Sequence, residues 1–518
     1  MTNRSNTGKM VQFPTMMRIR EGTMQKTHSA ILALTLLLLA VPASTQEAAA
    51  PFVITEVRYE IDGRTRQWAL EDVVDLRDGM EFADRDELEA YLADQTQLLV
   101  NQRQLQEASI TYEERPLPED RATRPIVITI ATEDTLNIIA LPYFKYDSNS
   151  GLLLSIRARD YNFFGTLQEL SLDFDYEFTE DDENVYTVTA EFSVPFNMME
   201  RRWRLTFKQE FAYEAAEIEI EDNSIDFQIS AGLGYDFDWL QQTWTASYTQ
   251  GYRLMTADPD DDAYLESRVA LETEIDTGVD VPAFGALTYS PEIFTQIKYW
   301  PDGISDERAG LEPGFTQNLG AGRADWIGNY RNGQTVRLGN TNIYNFDDVD
   351  ADYSLEFELA WYRKLWQPSP EVWPKAGVSS RIYSFYFIDG VDEDQDDAAQ
   401  AARGILNDRM NGDLGIFFNA DALITVWTLR PIAEGQFGGF FDVAYVRDTT
   451  GAFYDDTAFD AERDLKFGGG IEVIAFPLFA RSLYIRGSYG VDLREVAQGT
   501  SPLSGRIREI FIGLGHHY

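Results

Sequence analysis

Two neighbouring stretches carry the residue types that could do chemistry. One is the acidic run DGVDEDQDD (Asp389 to Asp397); the other is AARGILNDRMNGD (Ala401 to Asp413), which sets Arg403-Gly404 beside it. Asp392, Asp394 and Asp396 have the D-x-D-x-D start of a calcium loop, whose alternate carboxylates converge on one hard cation. Such a loop needs a glycine at its sixth position and a glutamate at its twelfth; here these are Asp397 and Arg403, which leaves only loose calcium binding by acidic loops. The nucleophile elbow G-x-S-x-G, the phosphate-binding G-x-x-x-x-G-K-[ST] and the zinc-binding H-E-x-x-H are all missing. There is no cysteine and there are three histidines, so thiolate chemistry is excluded, and neither a metal, a cofactor nor an enzymatic activity is expected. A formal charge of −43 excludes nucleic acid as a partner, because phosphate contacts need basic patches.

The elements that must position these residues begin with an export signal. MQKTH, the apolar SAILALTLLLLAVPA and the small residues AST make a secretory leader too short to span a membrane as a helix. Residues 1–43 are read as an N-terminal extension plus this leader, with Met24 its natural start; the remainder carries −47. From Phe52 to Asp134 the pattern is strand, helix, helix, strand, strand: FVITEVRYEIDG alternates, TRQWALEDVVDL and DRDELEAYLADQTQLLV have helical spacing with Asp84 as N-cap, and two more strands follow.

Beyond Asn137 helical periodicity gives way to alternation. Leu170, Leu172, Phe174, Tyr176 and Phe178 are apolar, and the residues between them are polar. Trp203 to Phe207, Ile225 to Phe237, Tyr353 to Trp361 and Leu414 to Val426 repeat the pattern. A soluble β-sandwich also alternates, but so many acidic faces would need two polar-outside sheets of matching pattern. The export signal, the 13% aromatic content and the absence of apolar helices favour an all-β transmembrane barrel over residues 138–518, apolar toward lipid and polar toward a wet lumen. Its 381 residues allow sixteen antiparallel strands at about 24 residues per strand and connection. On the strand from Asp413 to Thr428, Leu414, Ile416, Phe418, Ala420, Ala422, Ile424 and Val426 face lipid, which turns Asn419 and Asp421 inward. On Gln436 to Arg447, Asp442 points inward as well.

LPYFKYDSNSGLLLSIRARDYNFFGT (Leu141 to Thr166) resembles the first barrel hairpin of the BamA/TamA outer-membrane assembly superfamily, with Pro142, Tyr146, Gly151 and an Asn-x-x-Gly turn at Asn162 and Gly165. Residues 52–134, with RDGMEF between the helices, resemble the POTRA module of the same superfamily. Counted back from the end, Arg403-Gly404 falls in the sixth external loop, which in that superfamily folds into the lumen and carries Val-Arg-Gly-Phe/Tyr. Ala402-Arg403-Gly404-Ile405 resembles that motif at the arginine and glycine, supported by Gly412-Asp413, Asn419-x-Asp421 and Phe440-Phe441-Asp442. The resemblance together with the parity makes Arg403 a latch that bridges Asp421 and Asp442, with Gly404 letting the loop approach the wall; a solvated arginine among aspartates is the alternative. A wet lumen would keep the loss on removing Arg403 well under half of the about 3 to 5 kcal/mol of a dry site. FIGLGHHY resembles the terminal assembly signal, with Gly513 and the final Tyr518, although His516 stands where an apolar residue is usual.

The resemblance implies a protein of the bacterial outer membrane with its N-terminal domain in the periplasm. It implies insertion of outer-membrane proteins or polypeptide transport, by β-augmentation on the domain and an opening seam between first and last strands. The partners implied are outer-membrane lipids, unfolded outer-membrane or secreted polypeptides, and periplasmic or lipoprotein accessory proteins. A single POTRA-like module favours an accessory or specialised role. A translocation pore for a dedicated secreted partner and a passive channel or surface antigen are the rival readings.

The first expected outcome concerns the address. The mature chain fractionates with outer membrane and shows heat-modifiable migration in gels; recovery as a soluble periplasmic protein contradicts the barrel.

Overall fold

The computed structural model describes residues 51–116, 123–147, 151–178, 184–199, 201–215, 224–239, 242–255, 264–299, 311–346, 350–370, 372–388, 401–405, 410, 412–449, 459–504 and 507–514. The leader, the acidic run Asp392 to Asp397, His516 and Tyr518 lie outside these residues.

Residues Phe52 to Asp134 form a four-stranded sheet in the order β2-β1-β4-β3, made of β1 (Phe52–Asp62), β2 (Glu81–Phe82), β3 (Leu105–Glu114) and β4 (Arg124–Asp134). β4 runs parallel to β1 and antiparallel to β3, so both of its edges are paired, and Ile126, Ile128 and Ile130 on its inner face are fully buried. The long helix Arg85–Asn101 starts where Asp84 accepts a hydrogen bond from the Glu87 amide at 2.9 Å, and it buries Leu88, Leu92 and Leu99 on the sheet. The first helix is shorter than its spacing suggests, only Gln67–Glu71. Asp72, β-branched Val73 and Val74, and Asp75 are weak helix formers, and Val74 and Leu76 reach the core from the irregular backbone that follows the helix.

From Ile138 onward nineteen strand segments, β5 (Ile138–Asp147) to β23 (Arg508–Leu514), form one antiparallel sheet that closes with β23 beside β5. β12 (Tyr264–Thr273) and β13 (Ile275–Val281) pair with β14 (Gly285–Tyr299) in one register on either side of Glu274. They are one bent strand, so among the described residues the barrel has eighteen strands rather than the sixteen expected. The repeat is about 21 residues instead of about 24 because connections at the domain-bearing end shrink to turns such as Gly328-Asn329. Arg403 therefore lies in the seventh connection at the far end. Outward positions are apolar and exposed, among them Ile416, Ile424, Phe437, Phe441, Ile471 and Val473, while Asn419, Asp421, Asp442 and Glu472 are buried inside. Among the described residues no helix is long and apolar enough to cross a membrane.

The small domain is fastened to the barrel by the turn after β6 (Gly151–Asp160). Asn162 is fully buried; its Nδ2 donates to Thr65 Oγ1 at 2.7 Å and to Asp134 Oδ2 at 3.2 Å, and its Oδ1 accepts from the Leu167 amide at 2.9 Å. Asp134, the last residue of β4, also accepts from the Arg64 and Thr65 amides at 2.7 and 3.1 Å. Gly165 has φ +76°, its carbonyl accepts from the Arg66 amide at 2.9 Å, and a Cβ there would collide with the Arg64 carbonyl. Leu167, a barrel residue, completes the hydrophobic core of the domain. Elsewhere on the same rim Arg103 donates to the carbonyls of Arg481 (2.7 Å) and Gly328 (3.1 Å) and lies over the Trp326 ring at 4.6 Å. Burial, then the nearby Arg481, lowers the Arg103 pKa to about 10, which leaves it charged at neutral pH.

Asn162→Ala should therefore loosen the domain without opening the barrel, at a cost of about 1 to 3 kcal/mol for the buried groups left unpaired. Limited proteolysis between Asp134 and Ile138 checks this: cleavage accelerates in the variant, and an unchanged rate means the turn does not hold the domain.

Candidate functional site

The site is assembled by four neighbouring strands and one loop. β19 (Leu414–Leu429) supplies Asp421 and β20 (Ala433–Arg447) supplies Phe440 and Asp442. β21 (Leu465–Pro477) supplies Glu472, and β22 (Ile485–Asp492) supplies Arg486. The ladder pairs Asn419 with Asp442 and Asp421 with Phe440, so alternation alone sends all four inward on two successive inward rungs.

Arg403 enters this ring from the loop and is completely buried. Its Nε and Nη2 grip the two oxygens of Asp442 at 2.8 and 2.7 Å, a side-on fork, and its Nη1 donates to Asp421 Oδ1 at 2.5 Å. The Arg403 amide donates to Asp442 Oδ2 at 2.8 Å, so this one carboxylate fixes both side chain and backbone. The Phe440 ring lies under the guanidinium at 4.1 Å, and Glu472, paired with Arg486, approaches Nη1 at 3.7 Å. Arg403 itself is shut off from the lumen, where a wet surrounding is expected, because the loop packs onto the wall beside it: Ala402, Ile405 and Met410 lie against Phe385, Phe417, Ala444 and Val446. Ile405 thus supplies the apolar anchor at the position where the resembled motif has an aromatic. A cavity of about 200 Å³, lined by charged Arg331, Arg381, Asp421, Glu472 and Arg486 and by apolar Leu423 and Ile474, adjoins the ring.

Glycines make the wall approachable. Gly404 has φ +77°, and a Cβ on it would stand 2.7 Å from the Val491 amide nitrogen. A Cβ on Gly468 would collide with the Arg403 carbonyl, and one on Gly490 would stand 2.7 Å from the Gly404 Cα. The Gly404 amide donates to Glu509 on β23, which ties the loop to the last strand. Asn419 Nδ2 holds the Ala401 carbonyl at 3.1 Å.

The structure thus brings Arg403, Gly404, Asp421 and Asp442 together. It puts Asn162 and Gly165 elsewhere, at the domain junction. Pro142 and Gly151 lie on the first hairpin, where they pair with Ile156 and Asp147. Gly513 is inward on β23, paired with Arg486. Glu472, Arg486, Glu509 and the Gly468-Gly469-Gly470 run were missed. Their signals were present in the sequence, as charged residues at inward parity between apolar neighbours and as three glycines inside a strand.

Fold and site define a class: a transmembrane β-barrel capped by a small α+β domain, with a loop locked into its lumen. No protein-family model matches the chain, and no curated protein does. Among solved structures it is similar to CdiB from Acinetobacter baumannii, with 10% identity, a TM-score of 0.48, and 89% of this chain and 74% of that one covered. It is also similar to CdiB from Escherichia coli, with 8% identity, a TM-score of 0.41, and 95% and 99% covered. BamA from Haemophilus ducreyi lacking POTRA domains 1–3 is similar too, with 10% identity, a TM-score of 0.40, and 90% and 85% covered.

Arg403→Ala leaves Asp421 and Asp442 buried without their counter-charge and should destabilise the loaded loop by about 3 to 5 kcal/mol. Arg403→Lys should not restore it, since a point ammonium cannot make the side-on fork. A double-mutant cycle with Asp442→Ala, read by denaturant unfolding and by cleavage after Arg409, should show a coupling of about 2 kcal/mol; additive effects would separate the two residues.

Proposed function

We propose that this chain is a non-enzymatic polypeptide-handling barrel of a bacterial outer membrane, which inserts or passes extended clients delivered by its periplasmic domain. The observation that carries this reading is the buried Arg403 lock together with its tie to the last strand through Gly404 and Glu509, which couples the loop in the lumen to the closure of the barrel. A parted closure between β5 and β23 would offer unpaired amides and carbonyls to an extended client. The loop is bonded to that edge through Gly404 and Glu509. Clients are unfolded outer-membrane or secreted polypeptides, and accessory partners would meet the domain.

Because the chain lacks cysteine, one cysteine on each of β5 and β23 gives a clean disulfide across the closure. Oxidation should stop client insertion into vesicles, and reductant should restore it. Full insertion with the closure locked would overturn the opening seam and leave the lumen as the route, the translocation-pore reading.

A further inference from the structure

The connection Leu365 to Lys375, between β17 (Asp350–Lys364) and β18 (Ala376–Ile388), takes eleven residues where the next connections on the same rim take two, Gly328-Asn329, and three, Arg430 to Ile432. It is not slack. The Leu365 amide donates to the Ala376 carbonyl at 2.8 Å, the Trp373 amide to the Ser369 carbonyl at 2.9 Å, and Gln367 Nε2 to the Trp373 carbonyl at 2.5 Å. Pro368, Pro370 and Pro374 stiffen it further. Yet this ordered loop holds its large apolar groups outside: Trp366 is 84% exposed, Val372 76% and Trp373 57%.

These two tryptophans belong to a one-sided collar. Of the ten in the chain, Trp203, Trp239, Trp244, Trp361, Trp366, Trp373 and Trp427 lie at strand ends or connections on the domain-bearing rim, while Trp326 on the same rim is held under Arg103 at the domain seat. Trp361, Arg363 and Leu365 alternate onto the outer face and run straight into the loop, and Trp427, Leu429, Arg430 and Ile432 stand exposed on the neighbouring connection. Indole rings sit best at the headgroup level of a bilayer, apolar body inward and N–H toward water. The charge fits as well. In a chain of net charge −43, the stretch from Arg363 to Lys375 has Arg363, Lys364 and Lys375 against Glu371, with Arg430 close in sequence to the adjoining turn. Lys375 is held by Glu434 at 2.7 Å.

We propose that Leu365 to Lys375 is a membrane-surface anchor that seats the domain-bearing rim in the phospholipid headgroup layer of its own leaflet, with a preference for anionic headgroups. The inference rests on the transmembrane reading of the barrel. Two exposed indoles, a leucine and a valine continue the lipid-facing surface beyond the last ladder pair, Lys364 with Gly377, and the arginines flank them at headgroup depth. The anchor would fix the height and tilt of the rim on which the small domain is mounted.

The test uses the full chain with a nitroxide on Val372→Cys, the native sequence having no cysteine to block. A second label on Val473→Cys, outward in mid-strand on β21, reports the barrel wall. The protein is reconstituted in phosphatidylcholine vesicles with and without phosphatidylglycerol, and collisions with oxygen and with a nickel chelate are compared. The Val372 label should show an oxygen-to-nickel ratio about threefold or more above that of an aqueous label, rising with phosphatidylglycerol at low salt. Trp366→Ala with Trp373→Ala should return it to the aqueous value while the Val473 label stays in the acyl region. An aqueous Val372 label beside an acyl Val473 label overturns the anchor and hands this face to a protein partner or a second copy. A ratio indifferent to phosphatidylglycerol overturns the anionic preference, and both labels aqueous would mean that the barrel reading itself has failed.

Discussion

A guanidinium without water is the constraint around which the far half of this lumen is arranged. Burying Arg403 costs several kcal/mol of hydration, and the charge is tolerable only where fixed acceptors replace its solvent on every side. Asp442 does so twice, Asp421 once, and the Phe440 face closes one side of the plane. Each of these residues needs its strand in one register only, since a slip by one position would turn it toward lipid. The charge cluster therefore fixes the ladder as much as the ladder fixes the cluster.

The same loop links distant parts of the barrel. It leaves β18, lies on the glycine wall of β21 and β22, bonds β20 and β23, and returns into β19. Asp413, at that return, accepts from the Thr449 amide at 2.7 Å and so joins the next far-end connection as well. A loop bonded this way couples the lumen to the last strand, which closes the sheet against β5. At the opposite end the small domain is clamped at two places on one rim, by Asn162, Gly165 and Leu167 at one and by Arg103 at the other. The domain is thus a cap with a defined seat on the barrel, and its core is complete only when the barrel turn is present.

Much of this was legible in the sequence because both dominant rules are local. Period-two alternation marks strands and tells inward from outward, which was enough to aim Asp421 and Asp442 at a common space before any coordinate was known. Asp84 announced its helix by type and position. Strand number was not legible, since it depends on turn length, and two-residue turns leave almost no compositional trace. The bend at Glu274 was hidden for a related reason, because the register continues through it. The seclusion of Arg403 could not be read either: it follows from Ile405 and Met410 packing on Phe385 and Phe417, contacts between segments with no sequence relation. Asn162 and Gly165 were recognised as a turn, but their bonds to Thr65 and Arg66 span about a hundred residues and have no local signature.

The central claim, that the loop is locked into the lumen by Arg403, is tested most directly by hydrogen exchange at two backbone positions. The amides of Arg403 and Gly404 both donate to buried carboxylates, Asp442 and Glu509. In the bilayer-reconstituted protein they should exchange as slowly as the strand amides around them, and Asp442→Ala should release both together. Exchange at the rate of an open peptide in the unaltered chain would contradict the lock.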